Sequence, residues 1–339
     1  MIRMIAALVG AWLLVLFMGP KVIPFLRKLH FGQTIYDLGP QSHQKKQGTP
    51  VMGGLMIVCA VTLLSLLLHP GAYLGKWDMI LALLAVSLLS MLVGFADDYI
   101  KAVKKRHEGL TPWQKIAGQV VIAVAFSVYC YLHPMVGSKI DIPFFHVQWD
   151  LGIFYIPLMA LVVLFMVNSA NLQDGLDGLL STVTSVSMTG WAAMALIMMQ
   201  AANELHQAEA VTSYASAALF ALAVCGAAMG FLRFNRYPAK IFLGDTGSMF
   251  IGGAVVGMAM LTRKPLYMLL MNATLVASSL SVIIQRIYFK VTHGKRIFKM
   301  SPIHHHFELS GYTETQIVSM YACFTGILTI ASVLSTWLN

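Results

Sequence analysis

Apolar side chains follow one another in long runs, each about as long as a helix that crosses a bilayer. Windows of about 20 residues predict ten such helices, centred near Val9, Val61, Leu88, Val124, Met159, Ala192, Leu222, Gly253, Val276 and Gly326. The first run lacks the small-x-small pattern of a cleaved signal peptide, and we expect it to be retained as a helix. The pattern predicts an all-α polytopic membrane protein with a single domain over residues 1–339.

One segment between the fourth and fifth runs has a different pattern. Residues 134–152 include IDIPFFHVQWD, which mixes β-forming side chains with polar ones and a proline. Such a segment predicts a short hairpin outside the bilayer.

Polar segments between the runs predict the orientation of the chain. Most of the 23 lysines and arginines lie in alternate segments, at residues 19–49, 97–115, 232–241 and 286–315. Because positively charged loops stay in the cytoplasm, these segments are predicted to be cytoplasmic, both termini outside and the hairpin periplasmic. The same topology places five aspartates on the cytoplasmic side: Asp97, Asp98, Asp174, Asp177 and Asp245.

Composition excludes several other classes of protein. With 58% hydrophobic and 11% charged residues, the chain is too apolar for an ordinary soluble domain. The net charge of +9 does not indicate nucleic-acid binding, because the basic residues alternate with membrane spans. The four cysteines lie singly inside apolar runs, where we expect them to pack as small apolar side chains.

Paired acids stand at two of the predicted helix ends. Asp97 and Asp98, in VGFADDYIK, end an apolar run, where a membrane helix needs no acid. Asp174 and Asp177, in NSANLQDGLDGLL, share one face of a helical turn. A solvated turn would also explain the second pair, although the neighbouring Asn168 and Asn171 favour a binding site. Carboxylates at membrane depth are costly unless they are paired, solvated or bound to metal.

A third acid stands in a glycine-rich segment beside hydroxyl groups. Asp245 lies in FLGDTGSMFIGG, with Thr246 and Ser248 as further oxygen donors. Mg2+ prefers one or two carboxylates together with substrate phosphates. Lys46 and Lys115, each alone an ordinary cytoplasmic flank, would together with a metal neutralise a pyrophosphate. These residues indicate a metal-assisted phosphate reaction on a lipid whose tail stays in the bilayer.

Three consecutive histidines occur in SPIHHHFELSG. Successive side chains on a helix or strand point in different directions, so His304, His305 and His306 cannot all face one metal. Hydrogen bonding to phosphate or sugar, catalysis near neutral pH and a structural role all remain open for them.

The motifs KKQGTPVMGG, GFADDYIK, NLQDGLDGL, RFNRYPAKIFLGDTGS and SPIHHHFELSGYTETQIV resemble, in order and spacing, those of the phospho-N-acetylmuramoyl-pentapeptide-transferase family. The wider superfamily of polyprenyl-phosphate sugar-1-phosphate transferases shares the acidic motifs. The resemblance implies ten helices in a bacterial inner membrane, a cytoplasmic active-site cleft, a homodimer and a requirement for Mg2+. It implies transfer of phospho-MurNAc-pentapeptide from UDP to undecaprenyl phosphate, which yields lipid I and UMP.

The resemblance also implies roles for individual residues. Asp245 would be the magnesium ligand, and Asp97 and Asp98 would lie by the lipid phosphate, with His304 as a further catalytic residue. The implied substrate-binding residues are Lys46, Lys101, Lys115, Asn171, Asp174, Asp177, Asn235, His305 and His306. Gln173 and Leu180 stand where the family usually has threonine and alanine, and Ser278 where it usually has glutamate.

Two other functions compete with this interpretation. A related enzyme could transfer N-acetylglucosamine-1-phosphate to the same carrier, against which the triple histidine argues. A secondary transporter also carries polar residues in broken helices, but near the midplane and often in repeated halves. Here the acids are predicted at one face, and no repeat is evident.

Overall fold

A computed structural model describes residues 1–29, 46, 48–71, 77–104, 109–145 and 147–338, with residues 103 and 104 described for their backbone only. Twelve α-helices lie in this part of the chain. In chain order they are α1 (Ile2–Lys28), α2 (Gly54–Leu67), α3 (Met79–Lys104), α4 (Pro112–Leu132), α5 (Tyr155–Gln173), α6 (Leu179–Glu204), α7 (Ala208–Asn235), α8 (Gly244–Leu261), α9 (Pro265–Met271), α10 (Ala273–Val291), α11 (Ile303–Glu308) and α12 (Glu314–Leu338).

Nine of the helices in the described ranges are long and apolar enough to cross a bilayer, which confirms the polytopic all-α fold. The helix predicted around Val61 is shorter than a full span. It has 14 residues and is about 21 Å long, whereas the hydrocarbon core is about 30 Å thick. The preceding segment is not helical and pairs with the chain before α8: the Phe242 amide donates to the Pro50 carbonyl (2.9 Å) and the Gly53 amide to the Phe242 carbonyl (2.9 Å). The helix therefore begins only at Gly54.

The helix α8 lies at the centre of the bundle. All its residues from Thr246 to Leu261 are buried, because α3 and α5 pack along it. Small residues permit this contact. A Cβ on Gly94 of α3 would overlap the carbonyl oxygen of Asp245, and one on Gly54 of α2 would overlap the backbone of Gly247. The first turn of α8 is thus enclosed by backbone on two sides.

The predicted hairpin is present between α4 and α5. Strands β1 (Lys139–Ile142) and β2 (Val147–Asp150) pair antiparallel. The Asp141 amide donates to the Arg263 carbonyl (2.8 Å), just beyond the end of α8, and the Asp141 carboxylate pairs with Lys264 (3.1 Å). Because Asp245 lies in the first turn of α8, the hairpin is at the opposite end of the bundle from Asp245.

Candidate active site

Three aspartates from two segments that are distant in sequence meet beside the first turn of α8. Asp97 and Asp98 come from the second half of α3, and Asp245 from the start of α8. One carboxylate oxygen from each lies within 4.8 Å of the others. This cluster is the only group of three or more potential metal-ligating acids, histidines or cysteines within the described ranges.

Asp98 caps the first turn of α8. Its carboxylate accepts hydrogen bonds from the Asp245 amide (3.2 Å), the Thr246 amide (2.8 Å) and the Thr246 hydroxyl (2.6 Å). The first amides of a helix have no partner within the helix, and a carboxylate there also favours the helix dipole. Asp98 therefore sets the position of Asp245.

Asp245 is surrounded by donors from three other helices. One oxygen contacts the Lys115 ammonium at 2.7 Å and the Lys101 ammonium at 3.5 Å. The other oxygen accepts from the Asn171 amide at 2.8 Å. A capping box between Thr111 and Gln114 fixes the start of α4, from which Lys115 reaches the Asp245 carboxylate. Charge and hydrogen bonds thus hold the carboxylate in place.

Asp97 is held by Lys101 and by the loop that follows α3. Its ion pair with the Lys101 ammonium is 2.5 Å long, and it accepts a hydrogen bond from the Leu110 amide at 2.8 Å. The Asp97 carboxylate is buried, whereas the Lys101 side chain is 42% exposed. The pair therefore joins the cluster to solvent.

The cluster fits a hard divalent cation. Oxygens that ligate one Mg2+ at about 2.1 Å lie about 3 to 4 Å from one another, and the three carboxylates approach this spacing. The three aspartates and the two lysines that contact them, Lys101 and Lys115, have a formal net charge of −1. The donors to Asp98 are two backbone amides and a hydroxyl at the start of α8, whereas the donors to Asp245 are side chains that can move aside. Asp245 and Asp97 are therefore better suited as ligands.

The turn between α5 and α6 places Asp174 and two histidines together. A Cβ on Gly175 would overlap the His304 ring and lie 3.2 Å from Nε2 of His305. The two rings have their centroids 4.3 Å apart. Glu308 contacts Nδ1 of His305 at 3.1 Å, which directs Nε2 of that ring towards the turn. Glycine at position 175 thus permits both histidines to approach the chain next to Asp174.

Asp174 has a shifted pKa. Burial, followed by the negative charges of Asp245, Asp98 and Asp177, raises its pKa to about 8 from a usual value of 3.8. The folded protein therefore holds a proton at neutral pH that the unfolded chain has released.

This shift predicts a pH-dependent stability. The stability that the bound proton contributes is complete below about pH 4 and is lost as the pH rises through about 8. Thermal unfolding midpoints measured between about pH 5 and 9 should fall more steeply for the parent protein than for Asp174→Asn. Asp150→Asn is the control, because hydrogen bonds from Ser138 and Gly152 hold the pKa of Asp150 below its usual value. An unchanged slope in Asp174→Asn would contradict the assignment.

Two predicted site residues make other contacts. The Asn235 amide donates to the Ile241 carbonyl (3.0 Å), which holds the loop before α8. His306 accepts a hydrogen bond from the Lys299 amide at 3.1 Å and its ring lies edge-on to Phe298. The three histidines do diverge, as expected: His304 and His305 face the Asp174 turn, and His306 faces the segment before α11.

Lys46 and Asp177 form an ion pair, and Glu314, to which the sequence analysis assigned no role, joins it. Lys46 contacts both Asp177 and Glu314 at 2.7 Å. Glu314 lies within the motif SPIHHHFELSGYTETQIV and in the first turn of α12. Because an acid is usual at a helix start, nothing in the motif marks Glu314 as a partner of Lys46. The Ser248 hydroxyl, which the sequence indicates as an oxygen ligand beside Asp245, accepts a hydrogen bond from the Asn171 amide at 3.0 Å.

Two of the departures from the family pattern lie in contact. The Ser278 hydroxyl donates to the Gln173 side-chain oxygen at 3.4 Å, and Gln173 also reaches Thr274 at 3.5 Å. Both Gln173 and Ser278 are fully buried. Gln173 on α5 is longer than the threonine usual in the family, and Ser278 on α10 is shorter than the usual glutamate. The two side chains therefore meet in a buried polar contact.

Comparison with known proteins agrees with the geometry. Residues 80–263 match the model of glycosyl transferase family 4. A phospho-N-acetylmuramoyl-pentapeptide-transferase of Heliobacterium modesticaldum is 43% identical over 333 residues, covering 96% of this chain and 97% of the relative. Relatives of the same name from Clostridium novyi and Bacillus subtilis are 40% and 42% identical, over 98% and 96% of this chain and 96% of each relative. The chain therefore belongs to the phospho-N-acetylmuramoyl-pentapeptide-transferase family.

Proposed function

We propose that the protein transfers phospho-MurNAc-pentapeptide from UDP-MurNAc-pentapeptide to undecaprenyl phosphate, with release of UMP and formation of lipid I. The relatives' names give the transferred group, and the motif resemblance implies the UDP donor and the lipid phosphate acceptor. The carboxylate cluster at one end of the bundle, with Lys101 and Lys115 against it, is the observation that carries the proposal. The triple histidine distinguished this reaction from N-acetylglucosamine-1-phosphate transfer in the sequence, and the relatives do not favour the latter.

The reaction exchanges one phosphoanhydride for another, so positioning and charge stabilisation carry the catalysis. An oxygen of the lipid phosphate attacks the β-phosphorus of the nucleotide, the bond to the UMP oxygen breaks, and the bond between sugar and phosphate stays intact. Asp245 with Asp97 would hold Mg2+, which would supply positive charge to the pyrophosphate and to the leaving UMP. Lys101 and Lys115 add charge at the same place.

Asp97 and Asp98, the two neighbouring aspartates of α3, have different roles. Asp98 is occupied as the cap of α8 and keeps Asp245 in place. Asp97 shares a face with the exposed Lys101, so it is the better acceptor for a proton from the lipid phosphate. His305 lies against Gly175 and keeps 8% of its surface exposed, so it is the better candidate to hold the sugar nucleotide together with Asp174, whereas His304 is fully buried beside it.

The remaining parts of the proposal concern the membrane. The distribution of basic residues supports a carboxylate end facing the cytoplasm of a bacterial inner membrane, with the hairpin and both termini on the other side. In this topology the short α2 also crosses, in keeping with the hydrogen bond from Arg3 at the start of α1 to the His69 carbonyl just beyond α2 (2.9 Å). The family resemblance supports a homodimer.

The function is tested by UMP release from purified protein. We expect release with UDP-MurNAc-pentapeptide and undecaprenyl phosphate in the presence of Mg2+, and loss of release with a chelator. UDP-N-acetylglucosamine is the matched control substrate. Release with the control substrate alone would assign the protein to the sister reaction, and release unaffected by chelation would overturn the magnesium role.

A further inference from the structure

A buried ion network lies beside the α5–α6 turn, separate from the carboxylate cluster. The Lys46 ammonium contacts one oxygen of Asp177 and one of Glu314, each at 2.7 Å. Only 14% of the Lys46 side chain is exposed, and Asp177 and Glu314 are buried. Buried charges of this kind are retained only when they are paired and hydrogen-bonded.

The network joins four segments that are far apart in the chain. The second oxygen of Asp177 accepts from the Ala239 amide at 2.9 Å. The Glu314 oxygen that contacts Lys46 also accepts from the Asp177 amide at 3.1 Å. The network thus connects four segments at one point: the segment before α2, the α5–α6 turn, the loop after α7 and the start of α12. Asp174 and Gly175 lie on that turn.

The ammonium of Lys46 is committed to carboxylates. Burial alone lowers the pKa of Lys46, but the hydrogen bonds and charges of Asp177 and Glu314 more than reverse this and leave the pKa above its usual value. The three side chains have a formal net charge of −1. A substrate phosphate would therefore meet a local negative charge, and Lys46 would have to leave its partners to contact it.

We propose that Glu314 is a positioning residue, which holds Lys46 against Asp177 and so fixes the turn that carries Asp174. This inference rests on the proposed function, because it concerns binding of the same nucleotide. It assigns Lys46 to the support of the turn and not to a phosphate contact. Loss of any member should weaken nucleotide binding through the turn, while the carboxylate cluster stays intact.

A double-mutant cycle tests the assignment. Glu314→Ala and Lys46→Met should each raise KM for UDP-MurNAc-pentapeptide about tenfold and change kcat less than about threefold, because the reacting groups stay in place. The double variant should be no worse than the worse single variant, since both remove the same network. Glu314→Gln keeps an acceptor for the Asp177 amide and should restore KM to within about threefold of the parent value.

A control variant and two outcomes that would overturn the proposal complete the experiment. Glu209→Ala removes an exposed acid from the first turn of α7 and should leave KM and kcat unchanged. Independent, multiplicative losses in the double variant would overturn the proposal and make Lys46 a phosphate ligand. If the parent protein releases no UMP, the proposed function fails, and unfolding midpoints decide the inference: additive shifts of Lys46→Met and Glu314→Ala would overturn it.

Discussion

Asp245→Asn is expected to lower UMP release by about 1,000-fold. The substitution removes the charge at the centre of the cluster, where Lys115 and Lys101 would then repel an incoming cation. Asparagine has nearly the same shape as aspartate, so the helix start should persist. Release should be measured over a magnesium titration, because a variant with weakened metal binding regains part of its activity at high magnesium concentration.

A matched carboxylate at the other end of the bundle serves as the control. Asp141 also pairs with a lysine, Lys264, at 3.1 Å, but it lies in the hairpin. Asp141→Asn should keep the parent rate and the parent magnesium dependence. If Asp245→Asn kept more than about a tenth of the parent rate at ordinary magnesium concentration, Asp245 could not be the principal ligand.

Asp98→Ala should destabilise the protein by about 3 kcal/mol, the largest loss of stability expected from a single site residue. It removes the acceptor for two amides and one hydroxyl at the start of α8, and buried donors without partners are costly. Activity should fall as well, because Asp245 loses its fixed position. Thermal unfolding in detergent micelles measures the first effect and UMP release the second.

Asp97→Ala is the comparison that distinguishes a residue that stabilises the site from one that takes part in the reaction. Asp97→Ala should abolish UMP release, because Asp97 is the proposed proton acceptor. It should lower the unfolding midpoint less than Asp98→Ala does, because Asp97 accepts only one backbone hydrogen bond, from Leu110. Asp98→Asn, which keeps one acceptor oxygen, should unfold between the parent and Asp98→Ala. Equal destabilisation by Asp97→Ala and Asp98→Ala would contradict the division of roles.

Local patterns in the sequence predicted the helices and the chemical types at the site, because hydrophobic runs and short motifs are local. They did not predict the length of α2, which depends on pairing with residues near Phe242. Nor did they separate Asp98 from Asp97, since the partners of Asp98 are 147 and 148 positions away. Glu314 was missed for the same reason: Lys46 is 268 positions distant.

The enclosure of the first turn of α8 by Gly94 and Gly54 has a consequence for inhibitor resistance. Any larger side chain at either position would push into the backbone at Asp245 or Gly247. Such a substitution would displace the first turn of α8, which carries Asp245. A compound that binds at Asp245 should therefore select few viable escape mutants at these two glycines, and the escape mutants should map to the more exposed residues around Lys101.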